Sequence, residues 1–534
     1  MRPDWANSSS PLRFRYLTTE TVSSPGVPVK PSLPKLSILF SASEAAPFAK
    51  EGGLGDVVGA LPKYLSRMGH DVRVVIPRYY AVNREKYGLK QLPGTLVVPM
   101  GIIGRMYCGV YEGKLPGSEV PVYFLEHEQF YGRSGLYQQD GRGYQDNDNR
   151  FVFLSKASLE LCKMLDWAPD VIHAHDWHTG AIPLLLNTSY LHDRYVGNAA
   201  SLLSIHNMQH QGNYYPGLME VLGVGWKHFN YLELEKDDQV NLLKGGIYHA
   251  TLLSTVSEGY AREIQTAEYG WGLEGVVRER AADLYGILNG VDYEEWDPAT
   301  DHCIAATYTA RTVKKGKAAC KRDLQERMGL PLRADVPLFG VVSRMVRQKG
   351  TDLIAEAIHR ILEMDVQFVM VGNGEPWAHF FFGDVAAAHP DKFACYIGYS
   401  EELAHKVEAG ADFFVMPSSF EPCGLNQMYS LAYGTPPVVR ATGGLEDSVE
   451  NFDEEALAGD GFKFHHHTAA ALFDTIGWAT WTFFNNPAGL AALRKNGMKK
   501  RFTWEAAALR YDKLYRLAVR RRRGEEYFRN RFGD

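Results

Sequence analysis

Several loops in this sequence bring together residue types that can act on a charged or hydroxylated ligand. In KEGGLGDVVGALP, Lys50, Gly52, Gly53 and Gly55 follow an apolar run and precede the apolar positions of a helix. Glycines permit positive φ and close approach of a ligand, and a helix start offers unpaired N–H groups, so a phosphate or a sugar oxygen suits the pattern. It is neither GxGxxG nor a P-loop, and a tight structural turn would also account for it. In RMVRQKG, Arg344 and Lys349 follow another apolar run. A guanidinium can grip a pyrophosphate bidentately and an ammonium as a point charge, although either cation alone also reads as solvated surface. In ATGGLED, Thr442, Gly443 and Gly444 form a second glycine turn able to turn N–H groups toward the same diphosphate. Between these, PSSFEPCGLNQ sets Glu421 in a Pro- and Gly-bounded loop, where a carboxylate is better placed to accept hydrogen bonds from sugar hydroxyls than to pack.

Histidines form a further group. His173, His175, Asp176 and His178 in HAHDWH have the residue types of a metal site but run along a strand end. His206 closes the run ASLLSIHN, and the polar Asn207 and QHQGN that follow weigh against a plain core histidine.

The elements that must position these loops are βα units. Short β-branched apolar runs, each followed by a Gly-rich or polar loop and a helical stretch, recur at 36–43, 71–77, 121–127, 170–176, 200–207 and 250–257, ending in the YGILNGVD stretch at Asp292. A second set occupies 337–344, 366–372, 393–399, 411–417 and 436–441. Nearly unbroken apolar character means strands buried on both faces, as in parallel sheets. The expected class is α/β, with two doubly wound Rossmann-like domains facing each other across a cleft. Ligands collect there, at the carboxyl ends of the strands. The expected organisation is a disordered Ser/Pro/Thr-rich leader over 1–35, a first domain over 36–300, a second over 301–510, and a basic helix and tail over 511–534 whose arginines form a solvated face or an anion site.

Composition sets the outer limits. The 534 residues are 45% hydrophobic and 22% charged, enough for two cores. A formal charge of −6 leaves no excess positive charge for nucleic acid or an anionic membrane. No run reaches the roughly 18 to 20 apolar residues of a membrane-spanning helix, and the start lacks a signal-peptide pattern, although a remnant of a plastid transit peptide stays open. Six isolated cysteines without CxxC spacing fit a reducing cytoplasm better than a disulfide framework or a thiolate zinc site.

FEPCGLNQMYSLAYGT, taken with KEGGLGDVVGALP, HAHDWH, IHNMQHQG, LNGVD, SRMVRQKG and ATGGLEDSVE, resembles the ADP-glucose-dependent bacterial glycogen synthases and plant starch synthases over about residues 36–515, with every motif in family order. The resemblance implies the GT-B fold, with the nucleotide held mainly by the second domain. It implies a retaining transfer of glucose from ADP-glucose to the non-reducing 4-hydroxyl of an α-1,4-glucan, glycogen or starch, with no metal and no cofactor. By resemblance, Lys50 and the Gly52–Gly55 loop face the donor phosphates from one side, and Arg344 and Lys349 from the other. His206 and Glu421 hold the hexose, Cys423 packs nearby, and Asp56, Asp176, His178 and Asn289 line the sugar and acceptor pocket. Tyr399 lies against the adenine, and Tyr429 stands where many other GT-B retaining enzymes carry a second glutamate. The family's Lys-Thr-Gly-Gly reads Lys50-Glu51-Gly52-Gly53 here, so Glu51 is expected to point away from the diphosphate or to weaken donor binding. Ser419 replaces an arginine found in many relatives. The resemblance favours a bacterial enzyme over a plastid one. The intact motifs speak against a non-catalytic glucan-binding relative, and the chain is far shorter than the glucan phosphorylases that share the architecture.

Overall fold

A computed structural model of the chain describes residues 34–532. The expected leader lies, but for its last residues, outside them. The apolar runs of the first half form strands β1 (Ser37–Ser41), β2 (Asp71–Pro77), β4 (Pro121–Glu126), β5 (Val171–His175), β6 (Ala200–Ile205), β7 (Leu252–Thr255) and β8 (Leu284–Gly286). Parallel pairing gives the order β8-β7-β6-β5-β1-β2-β4. Every residue of β5 and β6 is buried, as helices on both faces require.

The sheet continues beyond β4 through β3 (Arg105–Lys114), which pairs antiparallel with it, and two short edge strands, Lys90–Gln91 and Leu96–Pro99. The apolar-run reading omitted these. In β3 only Cys108, Val110 and Tyr111 are buried, so RMYCGVYEGK carries no continuous apolar signal. The second half forms an all-parallel sheet of β9 (Leu338–Val342), β10 (Gln367–Gly372), β11 (Phe393–Ile397), β12 (Phe413–Met416), β13 (Pro437–Arg440) and β14 (Phe462–Phe464), in the order β11-β10-β9-β12-β13-β14. This sheet carries its own core around Phe339, Phe368, Phe413 and Phe462.

Five helices matter for the site: α1 (Gly53–Arg67), α2 (Glu258–Glu263), α3 (Asn426–Ala432), α4 (Gly443–Ser448) and α5 (Trp504–Arg523). The chain ends by returning to the first domain. In α5, Trp504, Ala507, Ala508, Tyr511, Leu514, Tyr515, Ala518 and Val519 recur at helical spacing and are buried in the core of the first sheet. The basic helix expected from 511 therefore begins at Trp504, capped by the Thr503 hydroxyl, which accepts the Ala506 N–H. Arg510, Arg520 and Arg521 face solvent, whereas others in α5 and the short helix Glu525–Phe532 are docked on the first domain. Arg522 donates to Asn187 Oδ1 and the Gly197 carbonyl, and Arg523 and Arg531 pair with Asp170. Among the described residues no helix is long and apolar enough to cross a membrane.

Tyr515 is fully buried where α5 meets the first sheet. Tyr515→Ala is expected to cost about 3–5 kcal/mol, by analogy with other buried aromatic truncations, read as a clear fall in Tm. An unchanged Tm would mean that α5 is not part of that core.

Candidate active site

A cavity of about 700 Å³ lies at the carboxyl ends of both sheets. The first domain lines it with the loop after β1, Asp176–His178 after β5, His206 and Asn207 after β6, and Asn289 beyond β8. The second domain contributes Ser343, Arg344, Gln348 and Lys349 after β9, and Ser418 and Glu421–Asn426 after β12. Two sheets joined at their strand ends place loops far apart in sequence around one volume.

The loop after β1 is organised by Glu44. Its Oε2 accepts the N–H groups of Glu51 at 2.7 Å and Gly52 at 3.0 Å, and its Oε1 accepts the Tyr137 hydroxyl at 2.5 Å. Burial pushes the Glu44 carboxyl up, and these hydrogen bonds partly oppose the shift. None of Gly52, Gly53 and Gly55 adopts positive φ, so the expected conformational reason for glycine does not apply. The reason is spatial. A Cβ on Gly52 or Gly53 would meet nothing within 4 Å, whereas one on Gly55 would press on the Lys50 stem at 3.0 Å and Glu44 at 3.2 Å. The first two glycines thus leave the approach to the backbone open, and the third packs the loop. Lys50 pairs with Asp56 at 2.7 Å. Glu51 lines the rim, with its carboxylate 3.4 Å from the Leu136 N–H.

On the facing side Lys349 Nζ lies 2.6 Å from Glu421 Oε2, which also accepts the Ser418 hydroxyl at 3.1 Å. Arg344 is exposed and donates to Gln348 at 3.1 Å. The amide N–H groups of Cys423, Gly424 and Leu425 have no acceptor among the described residues and border the cavity. Gly424 makes this row possible. Its φ is +70°, and a Cβ there would stand 2.4 Å from Gln427 Oε1. Cys423 is buried beside Val256, Val291 and Met428, and burial pushes its thiol up to about 12, in keeping with packing rather than chemistry.

Two groups of expected site residues lie outside the cavity lining. Thr442, Gly443 and Gly444 do not line the cavity. The Gly443 N–H and the Thr442 hydroxyl donate to Glu263 of α2, at 2.8 and 2.9 Å, and the Gly444 N–H donates to the Glu421 carbonyl. A Cβ on Gly443 would meet that carbonyl at 2.2 Å, and one on Gly444 the Cys423 carbonyl at 2.0 Å. These glycines let α4 support the Glu421 loop from below, and a protein carboxylate already holds the N–H group expected for phosphate. Tyr399 also stands outside the lining, 85% exposed.

The histidines do not converge on one point. His173 is buried off the cavity, 2.8 Å from the Tyr515 hydroxyl and 2.6 Å from Ser204 Oγ. His178 lines the cavity and stacks on Tyr137. Asp176 takes φ of +52°, uncommon for a non-glycine residue, and its Oδ1 accepts the His206 N–H at 2.7 Å. Burial pushes Asp176 up to about 7 against that bond and holds His206 down to about 3. Side chains close enough together to share an ion, such as His228, Glu233 and His249, lie outside the cavity.

Of the sequence candidates, the cavity thus gathers Lys50, Gly52, Gly53, Asp56, Asp176, His178, His206, Asn289, Arg344, Lys349, Glu421 and Cys423. It adds Glu44, Tyr137, Gln348 and Ser418. Glu44 was legible as a carboxylate at the end of β1. Tyr137 lies in an irregular segment and carries no local signal.

Residues 37–279 match the starch synthase catalytic domain, and residues 324–480 match glycosyl transferases group 1. The chain is 67% identical to glycogen synthase 1 of Geobacter metallireducens over 93% of this chain and 99% of the relative. It is 42% identical to a glycogen synthase of Treponema denticola over 91% and 99%. Among solved structures it is similar to the catalytic domain of starch synthase IV from Arabidopsis thaliana bound to ADP and acarbose, with a TM-score of 0.83 and 32% identity, covering 91% of this chain and all of that one. Sucrose-phosphate synthase from Thermosynechococcus elongatus, at a TM-score of 0.55 and 17% identity, shares the fold.

Burial holds His173, His175, His178 and His206 below the usual histidine range. The folded state refuses protons that an unfolded chain accepts below about pH 6.5, so this stability is present above that pH and is lost as pH falls. Carboxyls raised by burial, Asp176 to about 7 and Glu44 among them, work in the opposite sense, so the His206 contribution is read as a difference between two proteins. Between about pH 6.5 and 4.5 the Tm of wild type is expected to drop relative to that of His206→Asn. Equal slopes would contradict a neutral, buried His206.

Proposed function

The chain belongs to the glycogen synthase family, and from that premise we propose that it is a retaining glucosyltransferase of the bacterial glycogen synthase type, carrying glucose from ADP-glucose to the non-reducing 4-hydroxyl of an α-1,4-glucan. The observation that carries this reading is the convergence of three features on one cavity from two domains. These are the open glycine backbone at Gly52 and Gly53, the unpaired N–H row at Cys423–Leu425, and the Lys349–Glu421 pair beside Arg344. Open N–H groups and cations suit a diphosphate, and carboxylates and imidazoles suit a hexose. A relative that binds ADP supports an adenine nucleotide as the leaving group. Free cysteines fit work in the cytoplasm.

In the reaction the bond between the anomeric carbon and the β-phosphate oxygen breaks, and the bond to the acceptor O4 forms on the same face. The 4-hydroxyl proton passes to the departing phosphate oxygen, leaving ADP and a glucan longer by one glucose. Four of the cavity carboxylates are already engaged: Glu421 by Lys349 and Ser418, Asp176 by the backbone of His206, Asp56 by Lys50, and Glu44 by the Tyr137 hydroxyl and the Glu51 and Gly52 N–H groups, while Glu51 stands at the rim. That supports front-face attack over a covalent intermediate. Arg344 and Lys349 stabilise the charge that grows on ADP, preorganised as electrostatic catalysis requires. Glu421, His206, Asp176, Asp56, His178 and Asn289 orient the sugars, while Lys50 approaches the phosphates across the cleft. Tyr399, exposed beside the cavity mouth, would meet the adenine only after movement of the cleft.

The direct test is transfer of labelled glucose to glycogen, comparing ADP-glucose with UDP-glucose. Preference for ADP-glucose is expected, and the absence of transfer from either would overturn the reading. Release of glucose-1-phosphate on adding inorganic phosphate would instead mark a phosphorylase.

Arg344→Ala and Lys349→Ala should each lose at least about 100-fold in kcat/KM, the range of a removed charge-stabilising group. Their Tm values should differ. Arg344 is exposed, so its variant should melt near wild type, whereas Lys349→Ala leaves the buried Glu421 without its cation and should melt lower. Near-normal turnover in both variants would show that the diphosphate is held by backbone alone. With fixed cations carrying the charge, activity should also survive EDTA; loss of most activity, restored by magnesium or manganese, would contradict this.

A further inference from the structure

His206 reaches the cavity from the end of β6, and behind it stands a histidine that the reaction as described does not use. His175 closes the adjacent parallel strand β5 and is completely buried. Its Nδ1 lies 3.0 Å from His206 Nε2, while its own Nε2 is buried without a partner. Turning the ring over would put a carbon in place of Nδ1 and lose the His206 contact. The ring stacks on Phe40, with centroids 5.6 Å apart and planes at 22°, and packs tilted against His173, with centroids 4.1 Å apart and planes at 32°. His173 is in turn fixed through both nitrogens, by the Tyr515 hydroxyl of α5 and by Ser204. The stack therefore runs from the C-terminal helix to the cavity wall.

Burial keeps both His175 and His206 neutral, so only one of the two facing nitrogens carries a proton. If His206 Nε2 carried it, His175 would bear its proton on Nε2, a buried N–H with no acceptor. Orphaned buried donors are rarer than under-satisfied acceptors. The alternative puts the proton on His175 Nδ1, donated to His206 Nε2, and leaves only a bare lone pair on His175 Nε2. The remaining proton of His206 then sits on Nδ1, which has no partner among the described residues, is not shut off from solvent, and belongs to a residue lining the cavity.

We propose that His175 is a positioning residue that locks His206 in the Nδ1–H tautomer, so that His206 presents a neutral N–H donor to a hydroxyl oxygen of the bound hexose. The identity of that acceptor rests on the proposed function; the tautomer itself does not. Donation from a neutral ring suits a neutral hydroxyl and leaves phosphate to the permanent cations.

Two measurements on the full-length protein separate the possibilities. In the wild type labelled with 15N-histidine, His206, assigned by its loss in His206→Asn, should show a protonated Nδ1 and a bare Nε2. The reverse would overturn the proposal whether or not the protein turns over ADP-glucose. In the transfer assay, His175→Leu should lose about tenfold or more in kcat, the rate equivalent of one hydrogen bond, with less than about threefold change in donor KM. His175→Asn, which keeps an N–H donor, should recover part of that loss. Residue 175 acting only as packing predicts the opposite order, with Leu tolerated and the buried amide of Asn harmful, and that order would also overturn the proposal. Should His175→Leu fail to fold, the wild-type 15N pattern still decides.

Discussion

A site that must receive a diphosphate keeps donors unpaired in the absence of ligand, and such donors are tolerated only where the surrounding polar groups are satisfied by the protein. That constraint organises this cleft. The N–H row at Cys423–Leu425 stays open because its neighbours are committed. Asn426 donates to the Val342 carbonyl, Gln427 to the Cys423 and Gly424 carbonyls, and Ser418 and Lys349 to Glu421. Across the cleft Glu44 absorbs the N–H groups of Glu51 and Gly52 and turns the backbone at Gly52 and Gly53 toward free space. What remains unpaired on each side is what a ligand would complete.

The same accounting explains how the two domains meet. Glu263 of α2 holds the Gly443 N–H, Asp447 holds the Gly259 N–H at 2.6 Å, and the Ser257 hydroxyl donates to the Pro422 carbonyl. These bonds join the first domain to the underside of the Glu421 loop, so the position of Glu421 depends on both sheets. The glycine turn at 442–444 thus serves the site through packing, one layer below the position its residue types suggest. The C-terminal helix acts at a similar remove. Its Tyr515 anchors His173 beneath the cavity floor, which couples α5 to His206.

How much of this was legible in the sequence depends on the range over which each signal acts. Strands β5, β6, β9 and β12 announce themselves because both faces are buried and apolar character is therefore local. Strand β3 does not, since one of its faces meets solvent. Arg344, Lys349 and Glu421 were found because each follows an apolar run at a loop, and the fold delivers strand ends to one cleft. The Lys349–Glu421 contact spans 72 residues and Glu263–Gly443 spans 180, so no local pattern could pair them. The glycines were correctly marked as special, but for two different reasons. At Gly52 and Gly53 empty space lies ahead, and at Gly443 and Gly444 a carbonyl lies too close for any side chain. Residue type alone cannot tell these apart.

The claim that the glycine backbone after β1 is held open for the donor diphosphate is most directly tested by titrating ADP calorimetrically into wild type and Gly53→Ala. The added methyl meets no protein atom within 4 Å, so the variant should fold and melt like wild type or slightly higher. Its ADP affinity should fall at least about tenfold, because only a ligand can meet the methyl. Unchanged ADP affinity at unchanged Tm would mean that the diphosphate does not approach this backbone.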